Sequence, residues 1–99
     1  MLGDLRREEL DLIGWSGSPS HVKNVAGQLD RRDRGLVDYL VVRDADGAPI
    51  AKGAIDYEET PGAGTLFQLA TRTDLEGRGH ARMLIEEAER RIRARALTT

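Results

Sequence analysis

Toward the end of the chain Ala81, Leu84, Ile85, Ala88 and Ile92 fall at i, i+3, i+4, i+7 and i+11, with glutamates and arginines filling most of the positions between. That spacing puts one apolar stripe on an amphipathic helix, and such a stripe must be buried against a second layer. The residues before it supply that layer. Thr65-Leu66-Phe67-Gln68-Leu69-Ala70-Thr71 reads as a strand, and Arg72 to His80 is a short turn carrying Gly77 and Gly79. A strand, a glycine turn and a sheet-covering helix are the most constraining features of the sequence.

The upstream chain fits an α+β domain. Ser18-Pro19 is a helix start, with the serine oxygen able to accept from a first-turn amide and the proline ring presetting φ. Val22, Val25, Ala26 and Leu29 continue as a stripe, and Gly35 suits the residue after the last turn, which predicts a helix over about residues 19–33. Leu36 to Arg43 and Pro49 to Tyr57 read as strands joined at the turn sequence Asp44-Ala45-Asp46-Gly47, and with Thr65 to Thr71 they predict an antiparallel meander. Leu5 to Ile13 is expected as a short strand running into a helical turn that Gly14 ends. The expected architecture is an antiparallel three- to four-stranded sheet with an N-terminal helix and a long C-terminal helix.

Ninety-nine residues leave room for one small core, because a chain of this size buries only roughly 60–68% of its surface on folding. With 39% hydrophobic and 32% charged residues it has the composition of a globular domain, and no apolar run approaches the roughly 18 residues of a membrane span. The N-terminus becomes charged within four residues and lacks a signal-peptide pattern, so a cytoplasmic location is expected, with no membrane partner. There is no cysteine, and His21 and His80 are far apart, so no metal site is expected. The formal net charge of −2 provides no field for nucleic acid, and Arg90, Arg91, Arg93 and Arg95 follow Glu86, Glu87 and Glu89 in the order that makes helical ion pairs on a solvated face.

The turn before the last helix is where chemistry is expected. Unpaired amides and the helix dipole make a helix N-terminus attractive to anions, and glycine lets backbone approach closely. Gly77, Gly79 and Ala81 give that closeness, and Arg78 and Arg82 can add charge at the rim. Taken alone, glycines between a strand and a helix are more often simple turn punctuation. A Walker A loop is excluded because no lysine follows Lys52, and a dinucleotide fingerprint is disfavoured because Arg82 stands at the third glycine position and the strands read as antiparallel.

Gln68 to Ile85, running Gln68-Leu69-Ala70-Thr71-Arg72-Thr73-Asp74-Leu75-Glu76-Gly77-Arg78-Gly79-His80-Ala81-Arg82-Met83-Leu84-Ile85, resembles the central motif of the GCN5-related N-acetyltransferases. There a strand enters an Arg/Gln-x-x-Gly-x-Gly/Ala turn and then a helix. The resemblance implies that Leu69, Ala70 and Thr71 lie along the pantetheine arm of acetyl-CoA. It places Glu76, Gly77, Arg78, Gly79, His80, Ala81 and Arg82 around the pyrophosphate. It implies acyl transfer from acetyl-CoA as co-substrate to an amine, with backbone amides polarising the thioester carbonyl. Glu76 departs from the motif, which has Arg or Gln there, so its side chain is expected to point away from the phosphates. Thr99 falls where the family continues with a further strand, a tyrosine-bearing helix and a hairpin. Residues 1–99 are therefore expected to be a partial acetyl-CoA-binding domain, whose open strand edge calls for a second copy or a complementing fragment.

The resemblance assigns no catalytic side chain. His80 occupies a variable motif position and is expected to be an exposed first-turn residue, and His21 likewise exposed and structural. Asp56, Glu58 and Glu59 stand where the family sometimes keeps a carboxylate base, and loop solubility explains them equally well. Trp15, Tyr39, Tyr57 and Phe67 are expected in the core or at a substrate rim. The competing function is a non-catalytic CoA-binding or self-associating module, and a third reading is a small fold with an unused glycine turn.

Overall fold

A computed structural model describes residues 1–97. Its strands are β1 (Leu2–Asp4), β2 (Val37–Arg43), β3 (Pro49–Asp56) and β4 (Thr65–Thr71), forming one sheet in the order β1-β2-β3-β4 with every neighbouring pair antiparallel. Helix α1 (Pro19–Asp33) lies on one face and α2 (His80–Ala94) on the other. Short 3-10 turns occupy Arg7–Leu12, Gly14–Ser16 and Thr73–Leu75.

The core is split by the sheet. On the α1 face Leu5, Ile13, Val25, Leu29, Val37, Tyr39, Val41 and Ala54 are buried together; on the α2 face Leu40, Val42, Ile50, Ile55, Leu84, Ala88 and Ile92 are. β3 runs between these clusters with every residue buried, which explains its continuous rather than alternating burial. The expected helices and meander are present at their expected places. Ser18 Oγ accepts from His21 N at 3.2 Å, and α1 ends with Leu36 N donating to Arg31 O and Gly35, at φ +78°, donating to Arg32 O. This is the left-handed glycine stop that the sequence suggested.

The N-terminal expectation is corrected. The strand precedes Leu5 rather than beginning there, and Gly14 opens a second 3-10 turn instead of ending a helical one. The cause is tertiary: Leu5 and Ile13 are both drawn fully into the α1-side core, and Glu9 bends back so that its Oε1 accepts from Arg6 N at 2.8 Å. The last helix is also less purely solvated than its charge pattern suggests. Arg91 pairs with Glu87 on its own helix and, through Nη1, with Asp4 at 2.8 Å and Asp38 at 3.4 Å, tying α2 to β1 and β2.

The pairing of β3 with β4 is irregular at one point. Lys52 pairs with Ala70 and Ala54 with Phe67, leaving Gly53 alone opposite Gln68 and Leu69. Two residues facing one make a bulge, and Gln68 takes the left-handed value φ +54°, which side-chain-bearing residues rarely adopt.

Candidate functional site

The bulged strand leads directly into the glycine turn. Both turn glycines are left-handed, Gly77 at φ +78° and Gly79 at +86°, and at neither would an added Cβ meet anything within 4 Å. The space in front of the turn is therefore open, and the glycines are required by backbone conformation rather than by crowding. Gly79 is the N-cap of α2 and has no side chain to cap it; the first turn carries no acidic residue. Among the described residues no backbone group accepts from the amides of residues 76–82, while Met83 N is the first to bond back, to Gly79 O at 3.0 Å. A run of unpaired donors at the positive end of a 15-residue helix forms a cradle able to receive an anion.

That cradle opens on a cavity of about 610 Å³ lined by Leu69, Ala70, Thr71, Glu76, Gly77, Gly79, His80, Ala81 and Arg82. These are the expected site residues with the exception of Arg78, which is exposed and outside the lining. Trp15, Ser16 and Leu75 complete the wall. Part of the wall thus comes from the 3-10 turn before α1, and the expectation of Trp15 in the core or at a substrate rim was the sequence's pointer to it. The volume lies in the range of small-molecule and cofactor sites.

Several side chains differ from expectation. His80 is partly buried and lines the cavity, with its Nδ1 enclosed and without a partner, and Trp15 Nε1 is likewise enclosed and unpaired. Buried polar atoms without partners are uncommon in folded proteins, so both are available to a ligand or to water. His21 is half-buried rather than exposed, packed so closely on Gly17 that a Cβ there would meet its ring at 2.9 Å. Its pKa is lowered from the usual histidine value by burial and by the neighbouring charge of Lys52. Asp56 is unsuited to act as a base: both its oxygens accept from the Arg31 guanidinium, at 2.9 and 3.1 Å, and Oδ1 also takes the amides of Glu58 and Glu59. The Arg31 hydrogen bonds hold its carboxyl below the ordinary aspartate range. Glu58 joins the same arginine at 3.3 Å, and Glu76 is exposed. Among the described residues no cluster of three or more histidine or acidic side chains is placed to hold a metal.

The arrangement of helices on an antiparallel sheet recurs in solved structures. An aminoglycoside 6′-N-acetyltransferase complexed with coenzyme A superposes with a TM-score of 0.77 over 97% of this chain, at 11% identity. A predicted acetyltransferase from Clostridium acetobutylicum with acetyl-CoA gives 0.76 over the whole chain, at 13% identity. The fold is that of the GCN5-related N-acetyltransferases. A member of that family from Escherichia coli, in complex with CoA, matches 93% of the chain with a TM-score of 0.70 and 22% identity. The chain spans 57% of the length of the aminoglycoside enzyme, 77% of the Clostridium protein and 55% of the Escherichia coli protein. No protein-family model and no curated protein sequence matches it.

Proposed function

We propose that this chain binds acetyl-CoA along Leu69–Thr71 of β4 and the segment Glu76–Arg82, and takes part in transfer of its acetyl group to an amine. The observation that carries the reading is the convergence, on one cavity, of unpaired amides from the α2 N-terminus and the edge of β4. The amides suit the diphosphate, and Arg82 on the wall adds charge. Leu69, Ala70 and Thr71 present an outer strand edge, the kind of surface on which an amide-containing arm can lie as an added strand. The CoA-bound neighbours of the same fold support the choice of ligand. In the reaction the acceptor nitrogen bonds to the acetyl carbon, the carbon–sulfur bond breaks with its electron pair leaving on sulfur, and the amine proton passes to solvent or a base. The part of the chain's own backbone is to bind the diphosphate and to point amide hydrogens at the carbonyl oxygen as negative charge develops there.

CoA should therefore raise the melting temperature, since a ligand at ten times its Kd adds about 1.4 kcal/mol, or several degrees for a domain of this size. Gly79→Glu should abolish the shift by placing a carboxylate in front of the amides. An unchanged melting temperature at millimolar CoA overturns the proposal.

A second reading is a CoA-binding module completed by another copy or another polypeptide. It is favoured by β4 ending the sheet with Leu69 41% exposed. Sedimentation distinguishes it: association without release of CoA thiol in the presence of amines supports the module, and turnover by a monomer excludes it.

A further inference from the structure

The bulge is held by a lysine that neither the cradle nor the core accounts for. Lys52 has no exposed surface, and its Nζ donates to the carbonyl oxygen of Gln68 at 2.9 Å and to Tyr39 Oη at 3.1 Å. Tyr39 Oη in turn donates to Gln68 Oε1 at 2.7 Å. The groups facing the ammonium are thus Tyr39 from β2, Gln68 from β4 and, electrostatically, His21 from α1; the influence on its titration is burial, and among the described residues no carboxylate serves as counter-ion. A cation buried without a carboxylate is costly. Here two of its donors are spent on one residue in a strained conformation, directly or through Tyr39.

Peptide geometry sends this interaction to the cavity. The Gln68–Leu69 bond is trans, so the Gln68 carbonyl and the Leu69 N–H point to opposite sides of their shared peptide. With the carbonyl pinned to Lys52, the N–H is directed away from the ammonium, at a residue that lines the cavity. A charged donor on the oxygen also draws electron density from the amide nitrogen and strengthens its N–H as a donor.

We infer that Lys52 is a positioning residue: by holding and polarising the Gln68–Leu69 peptide, it sets the Leu69 N–H as the donor for the carbonyl oxygen of a bound thioester. The role of that N–H in catalysis rests on the acetyl-transfer reading, whereas the linkage from Lys52 to Leu69 belongs to the protein alone.

The two parts are tested separately. In the ligand-free labelled protein, the Gln68 carbonyl carbon and the Leu69 amide nitrogen should titrate together with a midpoint near the Lys52 value of about 8. His21, lowered below its usual 6.5, titrates well apart from this. Lys52→Met should remove the transition. Tyr39→Phe, which keeps the lysine but deletes an acceptor of the charged form, should move the midpoint down, and this second variant decides the matter should Lys52→Met not fold. A Leu69 signal that is static from pH 6.5 to 10, a midpoint unchanged in Tyr39→Phe, or the same transition in Lys52→Met overturns the linkage. With saturating acetyl-CoA and hydroxylamine as acceptor, Lys52→Met should release CoA thiol at least about 10-fold more slowly while keeping the CoA-induced melting shift, because one oxyanion donor is weakened and the cradle is untouched. Release at the wild-type rate overturns the catalytic part. If the wild-type protein shows no melting shift with CoA, the acetyl-transfer reading fails, and the titration still decides the linkage.

Discussion

Arg43 on β2 grips Glu9 with both sides of its guanidinium, Nε to Oε2 at 2.8 Å and Nη2 to Oε1 at 2.7 Å, although Glu9 is only 3% exposed. These hydrogen bonds, opposed by burial and helped by the Arg6 amide, bring the Glu9 pKa down from 4.5 to about 2. A carboxyl depressed in the folded state contributes stability that is complete above its unfolded pKa and is lost as pH falls through the folded one. Glu9→Gln should therefore cost on the order of 2 kcal/mol in urea unfolding at pH 7 and distinctly less at pH 2.5. An equal cost at both pH values would show that ionisation of Glu9 is not what holds the turn.

Gly64 is needed for contact rather than conformation. A Cβ there would lie 2.5 Å from Ile92 Cγ1 and 2.9 Å from its Cδ1, on the stripe of α2. Gly64→Ala should destabilise the domain by about 1–3 kcal/mol through overpacking. Combined with Ile92→Ala, its cost should be smaller than the sum of the two single changes, measured as a coupling in a double-mutant cycle.

Gly79 has the opposite character, with open space around it but φ at +86°. Gly79→Ala should cost about 1–2 kcal/mol from left-handed strain alone. Gly79→Asn should cost less, because asparagine tolerates that region. Thermal melts without CoA read this difference; a larger loss for asparagine than for alanine would point to crowding instead.

Ser18 caps α1 through its hydroxyl, and Ser18→Ala should lower stability by about 1 kcal/mol, while Ser18→Asp retains most of it. Chemical denaturation of the two variants provides the comparison.

Much of this arrangement was legible because it is local. The limits of α1, the hairpin at Asp44–Gly47 and the strand Thr65–Thr71 follow from caps, periodicity and turn chemistry within a few residues. The glycine turn was legible as the break between β4 and α2 for the same reason. β1 was not, since three residues carry no periodic signal and its pairing with Leu40–Val42 lies almost forty residues away. Asp56 could be read as a free carboxylate only until Arg31, 25 positions earlier, closed on it. Lys52 reads in sequence as the polar member of a strand, whereas the fold buries it, and among the described residues Tyr39 and the Gln68 carbonyl at the bulge accept from it. The partial burial of His21 was illegible for a related reason, because it depends on the preceding 3-10 turn folding back over α1.

The ion pair from Arg91 to Asp4 joins residues separated by 87 positions. During synthesis β1 and its partner β2 leave the ribosome well before the helix whose arginine braces them both. Until α2 docks, the sheet face that it covers remains accessible to other chains emerging nearby.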